Sequence, residues 1–96
     1  MGSAVASSYL LDVTTVTSNE ELHALIARVL SFPAYYGKSW DAFDECLSEL
    51  QLPAHINVTG VAELRRRLPR DATLLQQLLS AAAASMPNGQ LVIHVA

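Results

Sequence analysis

The chain has 96 residues, 51% of them hydrophobic, and carries six Lys and Arg against nine Asp and Glu, a net charge of −3. This length is that of one domain, and the apolar fraction is too high for a disordered tail. Mild acidity argues against nucleic-acid binding as the main function, because phosphate requires a basic face. We therefore expect a single domain over residues 1–96, in which residues 1–8 are either disordered or an addition to the natural sequence.

Cysteine and histidine usage limits the chemistry further. A single cysteine, Cys46, excludes an internal disulfide and a Cys-based zinc site. His23, His55 and His94 lie far apart in the sequence without metal-ligand spacing. A secretory signal has basic residues before its apolar segment, and this sequence has none there. It also lacks the run of roughly 18 apolar residues that a membrane-spanning helix needs. We expect a cytoplasmic protein without a metal or a cofactor.

The first third of the chain predicts a strand followed by a helix. Aromatic and branched residues favour a strand over Tyr9–Val13. A hydroxyl at Thr17 or Ser18, each with a Glu three residues later, forms a capping box that opens a helix. Apolar residues then recur every three or four positions until Pro33 ends the pattern, which is typical of an amphipathic helix.

The second half predicts two strands separated by two helices. Ala54–Thr59 alternates with period two, which favours a strand with one buried face. A short helix closes at Pro69, and Asp71 is the expected N-cap of a longer one. The apolar run Leu91–Val95 predicts a strand buried on both faces. Since helices separate the strands, we expect an α/β fold: a three-stranded parallel sheet covered by helices.

Between these halves lies a helix with two distinct faces. Ser39 is its expected N-cap, and it runs from Trp40 to about Leu50, with Pro53 beyond it. At about 100° per residue, one arc is wholly apolar and is expected to be buried against the core, with Cys46 as an inert thiol: Trp40, Ala42, Phe43, Cys46, Leu47 and Leu50. The opposite arc holds four acids and no base: Asp41, Asp44, Glu45 and Glu49.

The acidic arc has two open interpretations. Asp41–Glu45 and Glu45–Glu49 are like-charge pairs one turn apart, each destabilising by about 0.2–0.5 kcal/mol. An ordinary solvated face mixes signs, so a face that tolerates this repulsion is a candidate binding surface. The other interpretation is a merely solvated helix face.

The loop before this helix adds interface-type residues. Tyr35 and Tyr36 each offer a rigid apolar ring with a polar tip, and we expect one to pack beneath the loop and the other to be exposed. Gly37 is expected to supply a positive φ or a close backbone approach. The segment Phe32–Leu47 resembles the signature of the barstar family, in which Tyr-Tyr-Gly is followed by Asp-Ala and Cys-Leu at these spacings.

The resemblance implies a small intracellular α/β inhibitor, an immunity protein, that binds a secreted or toxin ribonuclease 1:1 and contacts neither nucleic acid nor membrane. Its acidic helix would block the cationic RNA-phosphate site. By position, Glu45 would enter that site, Asp41 would contact a second cation, and Tyr35 would pack against the catalytic histidine. The implied partner-binding residues are Tyr35, Gly37, Ser39, Asp41, Asp44 and Glu45.

The chain departs from the family pattern in four places. Ser39 replaces Asn, Asp44 replaces an aromatic residue, Glu45 replaces Asp, and the helix over Thr73–Met86 carries no acid. The alternative function is a generic protein-binding domain whose acidic face meets a basic non-nuclease partner.

Two further features weigh less. The basic cluster at Arg65–Arg67 and Arg70 is expected to be a solvated helix face with Glu63 and Asp71 nearby. No nucleophile–base pair or phosphate-binding glycine loop is present, so we do not expect an enzyme.

Overall fold

The computed structural model describes residues 7–33, 36–37, 39–86 and 89–96. Within them, strands and helices follow in this order: β1 (Ser7–Asp12), α1 (Asn19–Leu30), α2 (Trp40–Ser48), β2 (Ala54–Thr59), α3 (Val61–Arg67), α4 (Pro69–Ser85) and β3 (Leu91–Val95). The three strands form one sheet in the order β1-β2-β3, and both pairings are parallel. The predicted α/β fold, a three-stranded parallel sheet with helices packed on it, is confirmed. Strand β1 begins two residues before the predicted Tyr9 and includes Ser7 and Ser8, because both pair with β2; these two residues are therefore ordered, against the expectation for residues 1–8.

The central strand β2 and the edge strand β3 differ in burial. Ala54, Ile56 and Val58 of β2 are buried and their neighbours are half-buried, which confirms the predicted period of two. In β3 only Leu91 is buried, and Val95 is 46% exposed. The prediction of a strand buried on both faces is therefore wrong. β3 lies at the edge of the sheet, so its side chains are covered less than those of β2.

Helix α1 begins with the predicted capping residues in a modified arrangement. The Ser18 hydroxyl accepts a hydrogen bond from the Glu21 backbone N–H at 3.1 Å. The Glu21 carboxylate accepts from the Thr17 N–H at 2.7 Å, one residue before the cap. The helix ends at Leu30, earlier than predicted, because Ser31 takes the left-handed conformation with φ 56°.

The start of α4 differs from the prediction. The helix begins at Pro69, with Leu68 as the capping residue, so the prediction of Asp71 as N-cap is wrong. Proline suits a first helical position because its missing N–H would have no partner there. Asp71 lies in the first turn of α4, where its carboxylate accepts hydrogen bonds from two other helices.

Gly60 joins β2 to α3 in a conformation that the sequence analysis did not predict. It has φ 83°, in the left-handed region. A Cβ at this position would lie 2.6 Å from the backbone N and Cα of Thr14. Glycine is therefore required both for the backbone angle and for the close approach of the two chain segments.

Candidate functional site

The apolar arc of α2 faces the core. Phe43 and Leu47 are fully buried and Cys46 is 9% exposed, which confirms the predicted orientation. The ring of Phe43 packs edge-on against Trp40, with ring centres 5.3 Å apart. Trp40, which we predicted to be buried, is only half-buried because it lies at the amino end of the helix.

The opposite arc of α2 presents its four acids to solvent. Asp41, Asp44, Glu45 and Glu49, together called the acidic surface below, are all exposed. In the described part of the chain none of them pairs with an arginine, and the ion pair found there joins Arg66 to Glu63 at 3.5 Å. These carboxylates therefore have no counter-charge from the described residues and are accessible to the cations of a partner.

The amino end of α2 is fixed by Ser39. Its hydroxyl accepts a hydrogen bond from the Ala42 N–H at 3.1 Å, which confirms the predicted N-cap. Such a cap satisfies one of the free N–H groups of the first turn. Ser39 is exposed and directly precedes α2, so it lies at the amino end of the acidic surface.

The structure corrects the expectation for Gly37. Positive φ among the described glycines occurs at Gly60 and Gly89, not at Gly37. Among the described residues, a Cβ at Gly37 would meet only the Cβ of Ala42, at an ordinary 3.9 Å. Neither the backbone conformation nor crowding by those residues requires glycine here. Gly37 is exposed next to α2, so its lack of a side chain leaves space at the surface.

Tyr36 is the buried tyrosine among the described residues of the segment before α2. Its side chain is buried, and its hydroxyl lies 2.5 Å from Nδ1 of His23, which is fully buried on α1. Burial and the nearby Cys46 raise the pKa of the Tyr36 phenol well above its usual range, so it stays neutral. Tyr35, predicted as the exposed partner-binding residue, lies outside the described residues.

Trp40 links the start of α2 to two other helices. Its indole N–H donates to the Asp71 carboxylate at 3.1 Å. The side-chain amide of Asn19, the first residue of α1, donates to the same oxygen at 3.0 Å. The imidazole of His23 packs against the indole, with ring centres 4.5 Å apart.

Sequence reasoning missed the roles of His23 and Asp71. Helical periodicity could have indicated that His23 is buried. At about 100° per residue, His23 lies roughly 20° from the buried Leu30 around the axis of α1. No local pattern indicates Asp71, whose partner Trp40 lies 31 positions earlier in the chain.

Comparison with protein-family models matches residues 7–96 to the family described as Barstar (barnase inhibitor). The chain belongs to the barstar family. Members of this family are non-enzymatic inhibitors, and their partners are ribonucleases of the barnase type. A search of curated proteins found no match to the chain. No helix in the described ranges is long and apolar enough to cross a membrane.

Cys46 of this barstar-family chain is unsuited to nucleophilic chemistry. Burial raises the pKa of its thiol, and the nearby carboxylates of Glu49 and Glu45 raise it further. The reactive thiolate is therefore disfavoured in the folded protein. This agrees with the predicted role of Cys46 as a small apolar side chain on the buried arc.

The arginines of α3 are exposed, as expected for a solvated helix face, and their side chains contact other parts of the chain. Arg65 donates to Thr73 and Gln76, Arg66 pairs with Glu63, and Arg67 donates to the backbone carbonyl of Thr14. Glu63 lies nearby as expected, and Asp71, which directly follows Arg70, accepts hydrogen bonds from Trp40 and Asn19. These contacts favour a structural role for the basic cluster.

Two histidines that are distant in the sequence are neighbours in the sheet. The rings of His55 on β2 and His94 on β3 stack with centres 5.9 Å apart. Their separation in the sequence was therefore not a guide to their distance. In the described residues, no group of three or more potential ligands is positioned to hold a metal ion.

Proposed function

We propose that this chain inhibits a ribonuclease by placing its acidic surface in the cationic site that holds the RNA phosphate. The observation that carries the proposal is the set of exposed carboxylates on one face of α2, with no arginine paired to them in the described part of the chain. The family match supports the class of partner. On this account the protein acts inside the cell that makes the ribonuclease.

The chemistry of the partner explains why carboxylates would fit. A site that cleaves RNA must hold a phosphate, so it is lined by cationic side chains. A carboxylate presents two acceptor oxygens that match the guanidinium of arginine. Opposite charges accelerate the encounter of the two proteins, and ion pairs that lose their water slow the dissociation of the complex.

Three residues of the acidic surface have proposed roles. Glu45 lies at the middle of α2 and is the proposed group in the phosphate site. Asp41 lies one turn earlier on the same face and meets a second cation. Asp44, next to Glu45, is the proposed alternative anchor, because the longer Glu45 side chain has one more bond to immobilise.

Three residues before the helix complete the proposed surface. Ser39 holds the first turn of α2 and is exposed, which supports a proposed role for it at the edge of the contact. Gly37 would leave room for the partner, since no contact with the described residues requires glycine there. Tyr35 is proposed to cover the rim of the ribonuclease site.

Capture of the partner tests the proposed function. The chain is used as bait, and each captured protein is purified and assayed for ribonuclease activity with and without added chain. We expect a captured ribonuclease that one equivalent of the chain inactivates. Capture of a basic protein without ribonuclease activity would favour the alternative, a generic protein-binding domain.

Salt dependence tests the electrostatic part of the proposal. Because the Debye length falls from about 30 Å at 0.01 M salt to about 10 Å at 0.1 M, screening should slow association strongly and change dissociation less. An association rate that stays constant over this range would contradict steering by the acidic surface.

A further inference from the structure

The carboxylate of Asp71 joins the amino ends of three helices. It lies in the first turn of α4 and is half-buried. It accepts from Trp40, the first residue of α2, at 3.1 Å and from Asn19, the first residue of α1, at 3.0 Å. A single side chain therefore fixes the start of α2 relative to the two longer helices.

Helix α2 depends on such contacts for its orientation. It has only nine residues, and a helix this short is not stable by itself in water. Phe43 and Leu47 anchor its middle in the core, whereas Trp40 anchors its amino end. The half-buried indole is held on one side by the ring of His23 and at its N–H by Asp71.

We propose that Asp71 is a positioning residue for the acidic surface and acts through Trp40. This inference rests on the proposed function. Asp41 directly follows Trp40 in the first turn of α2. Holding the indole therefore also holds the backbone from which the first carboxylate of the acidic surface projects. A surface that is already fixed before binding loses less conformational freedom on association. A hydrogen bond to an ionised carboxylate is strong enough to hold this geometry.

Asn19 provides a matched control. It donates to the same oxygen of Asp71 but belongs to α1 and not to the acidic helix. Asn19→Ala should therefore lower thermal stability without loosening α2. Trp40→Phe removes the indole N–H and keeps an aromatic ring, while Asp71→Ala removes the acceptor.

Binding is measured against the ribonuclease that the wild-type chain captures, at a temperature where circular dichroism shows each variant to be folded. We expect Trp40→Phe and Asp71→Ala each to raise the dissociation constant about tenfold, the size of effect of one charge-assisted hydrogen bond. The double variant should bind nearly as well as either single variant. Asn19→Ala should stay within about twofold of wild type.

Two measurements on the free protein test the positioning directly. The chain has one tryptophan, so fluorescence excited selectively at tryptophan reports on Trp40 alone, and this emission should change in Asp71→Ala and not in Asn19→Ala. The amides of Ala42 and Phe43 should exchange hydrogen faster in Asp71→Ala and Trp40→Phe. Unchanged exchange at these amides overturns the inference whatever the binding data show.

The binding outcomes separate the two proposals. If Glu45→Ala weakens binding but Trp40→Phe and Asp71→Ala bind like wild type, the inference fails and the proposed function stands. If Asn19→Ala weakens binding as much as the other two, Asp71 contributes only general stability and the inference also fails. If the captured protein has no ribonuclease activity, the proposed function fails, and the exchange at Ala42 and Phe43 still decides whether Asp71 positions α2.

Discussion

Neutralising Glu45 should make the protein more stable while weakening its binding. Glu45 lies one helical turn from Asp41 and one turn from Glu49, and all three carboxylates are exposed. In the described residues no arginine offsets this repulsion. The substitution Glu45→Gln keeps the size of the side chain and removes its charge. The expected gain therefore reflects electrostatics and not packing.

The expected gain follows from the two like-charge pairs. Each i,i+4 pair costs about 0.2–0.5 kcal/mol, so relieving both should raise the free energy of unfolding by about 0.4–1 kcal/mol at low salt. Salt screens exposed charges, so the gain should shrink as the ionic strength rises. Gln and Glu have similar helix propensities, so the exchange adds little of its own.

Urea denaturation at low and at high ionic strength measures this gain. Glu63→Gln is the matched control, because Glu63 pairs with Arg66 and its neutralisation should leave stability unchanged or slightly lower. A Glu45→Gln protein that is less stable than wild type at low salt would refute the reasoning. It would mean that Glu45 has a favourable partner and is not a repelled carboxylate.

Three further predictions concern the fold and its titration. Gly60→Ala should destabilise the protein by more than about 2 kcal/mol in thermal or urea unfolding, because the new Cβ would collide with Thr14; an unchanged midpoint would contradict the close approach. Hydrogen bonds from Thr17 lower the pKa of the Glu21 carboxylate below its ordinary value of 4.5. These bonds therefore stabilise the fold above pH 4.5, and the stabilisation is lost as the pH falls below that value. The difference in free energy of unfolding between wild type and Glu21→Gln should therefore disappear in acid. A difference that grows in acid would mean that folding raises the pKa of Glu21 and does not lower it. Burial should make alkylation of Cys46 at pH 8 much slower in the folded protein than in urea, and equal rates would show an exposed thiolate.

Patterns with a short period were enough to predict the main elements. The alternation of β2 and the two arcs of α2 follow from which side chains can be buried, so Phe43 and Asp44 were assigned to the correct sides. The prediction for β3 failed because an apolar run does not show whether a strand is central or at an edge. Strand order depends on contacts between distant segments, which local composition does not encode.

In the candidate site too, local sequence predicted some features, whereas contacts between distant segments determine others. The exposed carboxylates of α2 and the cap at Ser39 follow from local sequence, and the structure has them where they were predicted. Gly37 does not have the positive φ that was one expectation for it, whereas Gly60 and Gly89 do. The presence of a glycine does not by itself indicate whether its backbone angle, close packing or neither requires it. The bond from Trp40 to Asp71 joins two helices far apart in the chain, so no spacing rule could indicate it.

The dissociation constant of Glu45→Ala for the captured ribonuclease tests the central claim most directly. If Glu45 lies in the phosphate site, its loss leaves a cation buried and unpaired, which should cost about 2–5 kcal/mol of binding. Glu49→Ala, at the end of α2 and nearer the rim, should cost less than about 1 kcal/mol. A larger loss in Asp44→Ala than in Glu45→Ala would move the anchor to the neighbouring acid. If neither Glu45→Ala nor Asp44→Ala weakens binding, while both proteins remain folded, the acidic surface is not the ribonuclease contact.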